Sequence, residues 1–204
     1  VSVVGERRRG VRVDMAIQRG MWRGGWQPRV AVERDGRRLE LQSHCSVWAH
    51  IGVGDCGASF TVRVPRGTRL AVDAGSGDVR VAGLARGATV DTSSGDVHAQ
   101  DVAGPLRVLA SAGDVDVEGY RGADVTLQAG SGDVELDARS APRRVRATTG
   151  PGDVALEVPD RAYRVAVRTG TGDRSVHVRE DPHAPRSIVA TTGAGDVSVA
   201  APGR

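Results

Sequence analysis

The chain has 204 residues, of which 28 are glycine and only 3% are aromatic, so a thick core of large side chains is excluded. All 28 basic residues are arginine, and the absence of asparagine removes any acceptor for N-glycosylation. No run approaches the roughly 20 consecutive apolar residues of a membrane span, and no signal-peptide pattern opens the sequence. This composition indicates a soluble, β-rich segment whose core consists of small side chains.

The charge is unevenly distributed. Residues 1–70 hold 13 arginines against 6 acidic residues, whereas residues 71–204 hold 15 arginines against 19. A nucleic-acid-binding surface would combine a basic patch with stacking aromatic residues, and only the loop around Trp22 and Trp26 comes near that. We therefore expect no nucleic-acid partner.

We expect the N-terminal part, residues 1–66, to form degenerate β coils that cap a more regular β repeat in the rest of the chain. Val1-Ser2-Val3-Val4-Gly5 aligns with Val79-Arg80-Val81-Ala82-Gly83, which directly follows a Gly-Asp turn. We therefore expect the first residues to form the equivalent strand. Asp35-Gly36 is a hairpin-type turn signal and makes this part partly antiparallel. The strands are expected at the alternating apolar residues Val11, Val13, Met15, Ile17, Val30, Val32, Leu39, Leu41, Phe60, Val62 and Val64.

A Gly-Asp-Val repeat dominates residues 67–204. Successive aspartates are 18, 18, 19, 20, 20 and 23 residues apart, and in the sixth copy arginine replaces valine at Arg174. This period is too short for a propeller blade of about 40 residues. The repeated aspartates are Asp78, Asp96, Asp114, Asp133, Asp153, Asp173 and Asp196.

Apolar residues alternate with period two within each repeat, as in Val90, Thr92 and Ser94 before a turn and Val97 and Ala99 after it. A unit of about 19 residues cannot bury its inward face alone, but it can when it is stacked on copies of itself. The prediction is an all-β fold, a single-stranded parallel β-solenoid, continuous with the N-terminal part. Equivalent residues would then form ladders about 4.8 Å apart.

The repeated Ser-Gly-Asp-Val turn occurs together with Val64-Pro65-Arg66-Gly67-Thr68-Arg69-Leu70 and with a Val-Pro-Asp-x-x-Tyr-x-Val segment from Val158 to Val165. With these motifs the chain resembles the "putative adhesin" family of bacterial β-strand-repeat proteins, a domain of unknown function. The resemblance implies a parallel β-solenoid on an envelope-associated bacterial protein. It implies no catalytic residues, and membrane attachment would come from a segment outside this chain.

The aspartate ladder has two interpretations. Each carboxylate caps its own turn by accepting backbone N–H bonds, or Ca²⁺ bridges neighbouring coils. The sequence lacks the Gly-Gly-x-Gly-x-Asp spacing of nonapeptide calcium repeats, so we expect turn capping, with no metal or other cofactor.

Cys45 and Cys56 are the two cysteines, and His44 and His50 lie nearby in sequence. We expect a disulfide, which suits an exported protein; free thiols and a zinc site are the alternatives. Zinc motifs space their cysteine pairs by two to four residues, and that pattern is missing.

Arg19, Trp22, Arg23 and Trp26 lie on a Gly-rich segment. Tryptophan and arginine dominate binding hot spots, so this segment is a candidate surface for a glycan or a protein; the alternative is a tryptophan that folds over the solenoid end.

Enzyme chemistry finds little support. The repeated acids fall one per turn, whereas a glycosidase needs two carboxylates in unequal environments. His98, His177 and His183 are single and stand without a nucleophile motif. The prediction is a non-catalytic binding or scaffold module of the bacterial envelope. The alternatives are a self-assembling structural solenoid and a carbohydrate-active β-helix enzyme.

Overall fold

The computed structural model describes residues 1–17, 29–35, 38–44 and 58–203, which form twenty β-strands and no helix. None of these described segments is therefore a helix with the length and apolarity that a membrane crossing requires. The chain divides into two compact units, one of Val1–Arg12 with Val62–Arg204 and one of Val13–Thr61. The predicted all-β class is confirmed.

Five strands precede the regular repeats: β1 (Ser2–Glu6), β2 (Arg12–Ile17), β3 (Arg29–Asp35), β4 (Arg38–His44) and β5 (Ala58–Pro65). Strands β3 and β4 pair antiparallel, with Asp35 opposite Arg38. The predicted antiparallel element at Asp35-Gly36 is thus confirmed by the two strands that flank it.

Seven coils follow, and each gives one strand to a ten-stranded sheet and one to an eight-stranded sheet. The coils are β6 (Leu70–Ala74) with β7 (Val79–Ala82), β8 (Ala88–Thr92) with β9 (Val97–Gln100), β10 (Leu106–Ala110) with β11 (Val115–Tyr120), β12 (Asp124–Ala129) with β13 (Val134–Ala138), β14 (Arg144–Pro151) with β15 (Val154–Glu157), β16 (Ala162–Thr169) with β17 (Arg174–His177), and β19 (Ser187–Ala194) with β20 (Val197–Ala200). The short β18 (Arg179–Glu180) pairs with the start of β16.

Neighbouring coils pair in parallel at equivalent repeat positions. Val79 lies beside Val97, and Val97 lies beside Val115. The same register continues through the later coils, so the predicted parallel β-solenoid is confirmed. Strand β1 pairs with β7 with Val3 beside Val81, as the alignment of the first residues predicts. Strand β5 follows β1 in the ten-stranded sheet, and β2 follows β5.

The stacking order departs from chain order at one end. Strand β19 pairs with β14 on one side and with β16 on the other, and β20 likewise lies between β15 and β17. The chain therefore forms the terminal coil, β16 with β17, before it returns to form the coil beneath it. The last two coils therefore do not stack in chain order, and the 23-residue final spacing supplies the length that the return needs.

Alternating side chains make the core narrow. Every second residue of a coil strand points inwards, and Val79, Val97 and Val115 are at most 1% exposed. Ser94 was expected to share this inward phase, but it is exposed because β8 ends at Thr92 and the turn begins there. The buried ladders consist of valine, alanine, leucine, threonine and one isoleucine, Ile188, so few positions can accommodate an aromatic ring.

Two tyrosines are the exceptions, and both are buried where the chain passes from one sheet to the other. The Tyr120 hydroxyl lies 2.9 Å from the carbonyl oxygen of Gly104 and 2.6 Å from that of Asp124, which share its single proton. The Tyr163 hydroxyl donates to the carbonyl oxygen of Pro159 at 3.0 Å. Burial raises the pKa of both phenols, and the charge of Asp124 adds to the rise at Tyr120. Both rings therefore stay neutral and act as fixed donors.

In every coil after the first, the glycine before the repeat aspartate allows a close approach to the neighbouring coil. Gly95 has a φ of +111°, and a Cβ placed on it would lie 2.6 Å from the carbonyl carbon of Gly77 in the neighbouring coil. Only glycine combines that backbone conformation with that approach.

Candidate functional site

The repeat aspartates form a hydrogen-bonded column along one corner of the solenoid. Asp96 Oδ1 accepts the amide N–H of Asp114 at 3.0 Å, and Asp114 Oδ1 accepts that of Asp133 at 2.8 Å. The remaining amide-to-carboxylate bonds are Asp96 to Asp78 at 3.3 Å, Asp153 to Asp133 at 2.8 Å, Asp196 to Asp153 at 2.7 Å and Asp173 to Asp196 at 2.7 Å.

Except for Asp173 on the terminal coil, each carboxylate therefore caps the turn of the next coil, and not its own turn as we expected. The physical reason is register, since parallel stacking places the next amide directly over the carboxylate. The column also follows the spatial order of the coils, so Asp196 precedes Asp173. Calcium bridging along this column stays a prediction.

The predicted recognition and cysteine residues lie outside the residues that the structure describes. These are Arg19, Trp22, Arg23, Trp26, Cys45 and Cys56. The glycan or protein surface, the disulfide and its alternatives all stay predictions.

A cluster of carboxylates occupies the outer surface of the ten-stranded sheet. Since side chains alternate along each strand, residues between the inward valines and leucines point outwards on β11, β13 and β15. None of the outward side chains on these three strands is basic. We call this cluster the acidic face: Asp116, Glu118, Glu135, Asp137 and Glu157.

The acidic face lines a groove of about 520 Å³, together with Asp101, Arg139 and Ser198. Asp101 at its rim contacts Arg121 at 2.9 Å and Arg139 at 3.6 Å, so these two arginines neutralise the rim. Glu118, Glu135 and Glu157 are all exposed. The groove is thus a solvated surface with a strongly negative floor.

His98 lies at one side of this surface and has partners that sequence reasoning missed. Its Nδ1 lies 2.8 Å from Asp116 Oδ2, and ligand atoms of His98, Asp116 and Glu118 lie within 4.8 Å of one another. The register could have revealed this contact, because Asp116 follows His98 by one 18-residue repeat. We expected an isolated histidine, and the structure corrects that expectation.

His177 is also not isolated. On the terminal strand β17 its Nδ1 lies 3.1 Å from Ser175 Oγ, with both side chains on the outward side of the strand. A hydroxyl beside an imidazole is one element of nucleophilic catalysis, but that chemistry also needs a group that orients the histidine and donors for an oxyanion. No described group hydrogen-bonds to the other ring nitrogen.

The outer surface of the eight-stranded sheet carries the opposite charge. Arg107, Arg146, Arg164 and Arg168 are exposed and form no ion pair with a described residue, whereas Arg144 contacts Asp124 at 2.8 Å. Arg107 and Arg146 flank Thr126 in one cross-strand row. We call this set the basic face: Arg107, Arg144, Arg146, Arg164 and Arg168.

These features define a β-solenoid repeat protein with two flat outer faces of opposite charge and a bonded aspartate column at one corner. Comparison with known families agrees with this class. The family model of the Toastrack domain (DUF4097) matches residues 68–202, so the chain belongs to the Toastrack family. The predicted resemblance to a β-strand-repeat family of unknown function is confirmed.

Among solved structures, the chain is similar to a protein from Clostridium sporogenes described as a "putative cell adhesion protein". The two share 10% sequence identity with a TM-score of 0.42, over 98% of this chain and 86% of that chain. No curated protein matches the sequence.

Proposed function

We propose that this chain is a non-catalytic binding and scaffold module that holds a cationic partner on its acidic face. The observation that carries the proposal is the set of five carboxylates on three neighbouring strands. Carboxylates about 4.8 Å apart on adjacent strands repel one another by about 1 kcal/mol in water. A cationic partner relieves this repulsion, so the surface favours a positively charged ligand.

The arrangement favours binding over catalysis. A glycosidase holds one carboxyl group protonated and the other ionised, in unequal environments. Glu118, Glu135 and Glu157 are all exposed on the same open surface. The carbohydrate-active alternative predicts turnover on a polysaccharide panel that the substitution Glu135→Gln abolishes.

The binding test uses an oligoarginine peptide and isothermal titration calorimetry. We expect saturable binding that the double variant Glu135→Arg with Glu157→Arg weakens by roughly tenfold or more, since each reversal turns an attraction into a repulsion. The matched control reverses charge on the other surface, in Arg107→Glu with Arg146→Glu, and retains binding. An oligoglutamate peptide is expected not to bind. Absence of oligoarginine binding to the wild type would refute the proposal.

A self-assembling solenoid is the second candidate, and the edge strand β17 favours it. Among the described strands, β17 lies at the end of the ten-stranded sheet, and an unpaired strand edge can pair with another chain. Such end-to-end pairing depends on backbone hydrogen bonds, so it should persist at high salt. A monomer at every concentration in sedimentation would exclude it.

We also propose that the module works outside the cytoplasm, at the bacterial envelope, as the family resemblance implies. Thiol titration of the native and reduced protein tests this location. A disulfide between Cys45 and Cys56 would support export, and two free thiols would contradict it.

A further inference from the structure

The first two coils of the solenoid carry outward charges that differ in sign from those of the acidic and basic faces. In the first two coils the eight-stranded sheet exposes acids, Asp73 and Asp91, which are neighbours in register. On the opposite sheet the first coil exposes Arg80, which also contacts Asp78 at 3.5 Å. The second coil presents the half-buried His98, which contacts Asp116 at 2.8 Å.

In the third and fifth coils both signs are inverted, with acids outward on the ten-stranded sheet and arginines outward on the eight-stranded sheet. The outward residues of β19 and β20 are uncharged. In the third coil, for example, Arg107 points outwards on β10 while Asp116 and Glu118 point outwards on β11. In the fifth coil, Arg144 and Arg146 on β14 accompany Glu157 on β15.

From this pattern we infer that a second copy of this chain is the cationic partner, docking the eight-stranded face of one copy onto the ten-stranded face of the next. With the two solenoid axes parallel, the acidic face meets the basic face, and Arg80 meets Asp73 and Asp91. With the axes antiparallel, Arg80 of one copy would instead face Arg164 and Arg168 on the terminal coil of the other. The charge pattern therefore selects the parallel orientation.

The strand spacing supports this docking. Neighbouring strands are about 4.8 Å apart on both faces, so each strand of one copy can lie opposite one strand of the next copy along the whole contact. Arg107 and Arg146 stand two strands apart, and so do Asp116 and Ala155 on the facing sheet, with Glu135 between them. Each arginine can thus reach the carboxylates of more than one strand.

The size of the faces makes the association weak. Seven strands of about four residues give a flat area of roughly 450 Å², below the about 800 Å² per partner of a standard interface. The contact joins two different surfaces, so it leaves one face of each kind free and can continue to further copies. We expect a concentration-dependent, salt-sensitive lateral array.

Sedimentation velocity at rising protein concentration tests the inference. At an ionic strength of about 0.01 M the wild type should associate, and at about 1 M, where the Debye length falls to about 3 Å, it should be monomeric. Glu135→Arg with Glu157→Arg and Arg107→Glu with Arg146→Glu should each associate roughly tenfold more weakly, or not at all. Circular dichroism of both variants should match that of the wild type.

Mixing the two variants gives the decisive result. The altered face of each complements the altered face of the other, so the mixture should associate although neither variant does alone. A mixture that stays monomeric, or variants that each associate as the wild type does, would overturn the inference.

This inference rests on the proposed function, yet the two can fail separately. Oligoarginine binding without self-association at low salt would reject the second copy as partner and leave the acidic face as a binding surface. If Glu135→Arg with Glu157→Arg loses both oligoarginine binding and self-association, and association returns in the mixture of variants, the result supports both the proposed function and the second copy as partner.

Discussion

Substitution of Asp114 separates two opposing effects within the column of turn aspartates. Its carboxylate accepts the amide N–H of Asp133 at 2.8 Å, and an exposed capping bond of this kind contributes about 0.5–2 kcal/mol. The same carboxylate stands about one coil spacing from those of Asp96 and Asp133, and each such pair repels by about 1 kcal/mol in water before salt screening. The bond and the repulsion are therefore similar in size.

Two substitutions distinguish them. Asp114→Asn removes the charge and keeps an acceptor oxygen, so we expect stability equal to or up to about 1 kcal/mol above the wild type. Asp114→Ala removes both, so it should be about 1 kcal/mol less stable than Asp114→Asn. The difference between the two variants isolates the hydrogen bond, because neither carries the charge.

Urea denaturation followed by circular dichroism measures the free energies of unfolding. Asp173 is the matched control, since it lies on the terminal coil and no described residue donates to its carboxylate. Its Ala and Asn variants should be equally stable. Amide hydrogen exchange at Asp133 should accelerate in Asp114→Ala but not in Asp114→Asn. Equal stability of the two Asp114 variants, or the same difference at Asp173, would refute the intercoil bond.

Four further outcomes are expected. Gly95→Ala should lower the free energy of unfolding by at least about 1–3 kcal/mol, because Gly95 has a positive φ and a Cβ there would also clash with the neighbouring coil. Gly75→Ala places its Cβ where nothing lies within 4 Å, so its melting temperature should be nearly that of the wild type. Tyr120→Phe should lose about 1–3 kcal/mol in urea denaturation, because two carbonyl oxygens lose their donor. Burial raises the pKa of Tyr120, so the wild type should lose stability as the pH rises above 10.0, where the unfolded phenol ionises and the buried one does not, and Tyr120→Phe should lose less over that range. Millimolar Ca²⁺ should leave the melting temperature unchanged if the turn carboxylates only cap amides, and an increase would support bridging ions.

The repeat in the sequence determines most of the solenoid. Each valine after Gly-Asp marks the start of a strand in the ten-stranded sheet, and stacking equivalent positions yields the observed register of Val79, Val97 and Val115. The order of the last two coils could not be derived in this way. Both copies satisfy the same pattern, and only Arg174 and the final 23-residue spacing distinguish the terminal coil.

The charged faces lie at sequence positions that the core pattern leaves out. The inward period-two residues account for the core, while Glu135 and Asp137 occupy the alternate positions of the same strand. Aligning the repeats and reading those alternate positions would have brought together the acidic face and the His98–Asp116 contact. The residues outside the described ranges, such as Trp22 and Trp26, follow no repeat, so no register could place them.

Because the chain returns at the end of the solenoid, its last repeat is an interior layer of the stack. In a solenoid whose coils follow chain order, a stop after the penultimate repeat removes an end layer and leaves the rest intact. Here the final repeat, β19 with β20, lies beneath the terminal coil, so a chain that stops at His177 would lack an interior layer. Such a chain would leave β14 and β16 without the strand that pairs with both of them. A truncation of the last repeat therefore acts inside the stack, one layer away from its edge at β17.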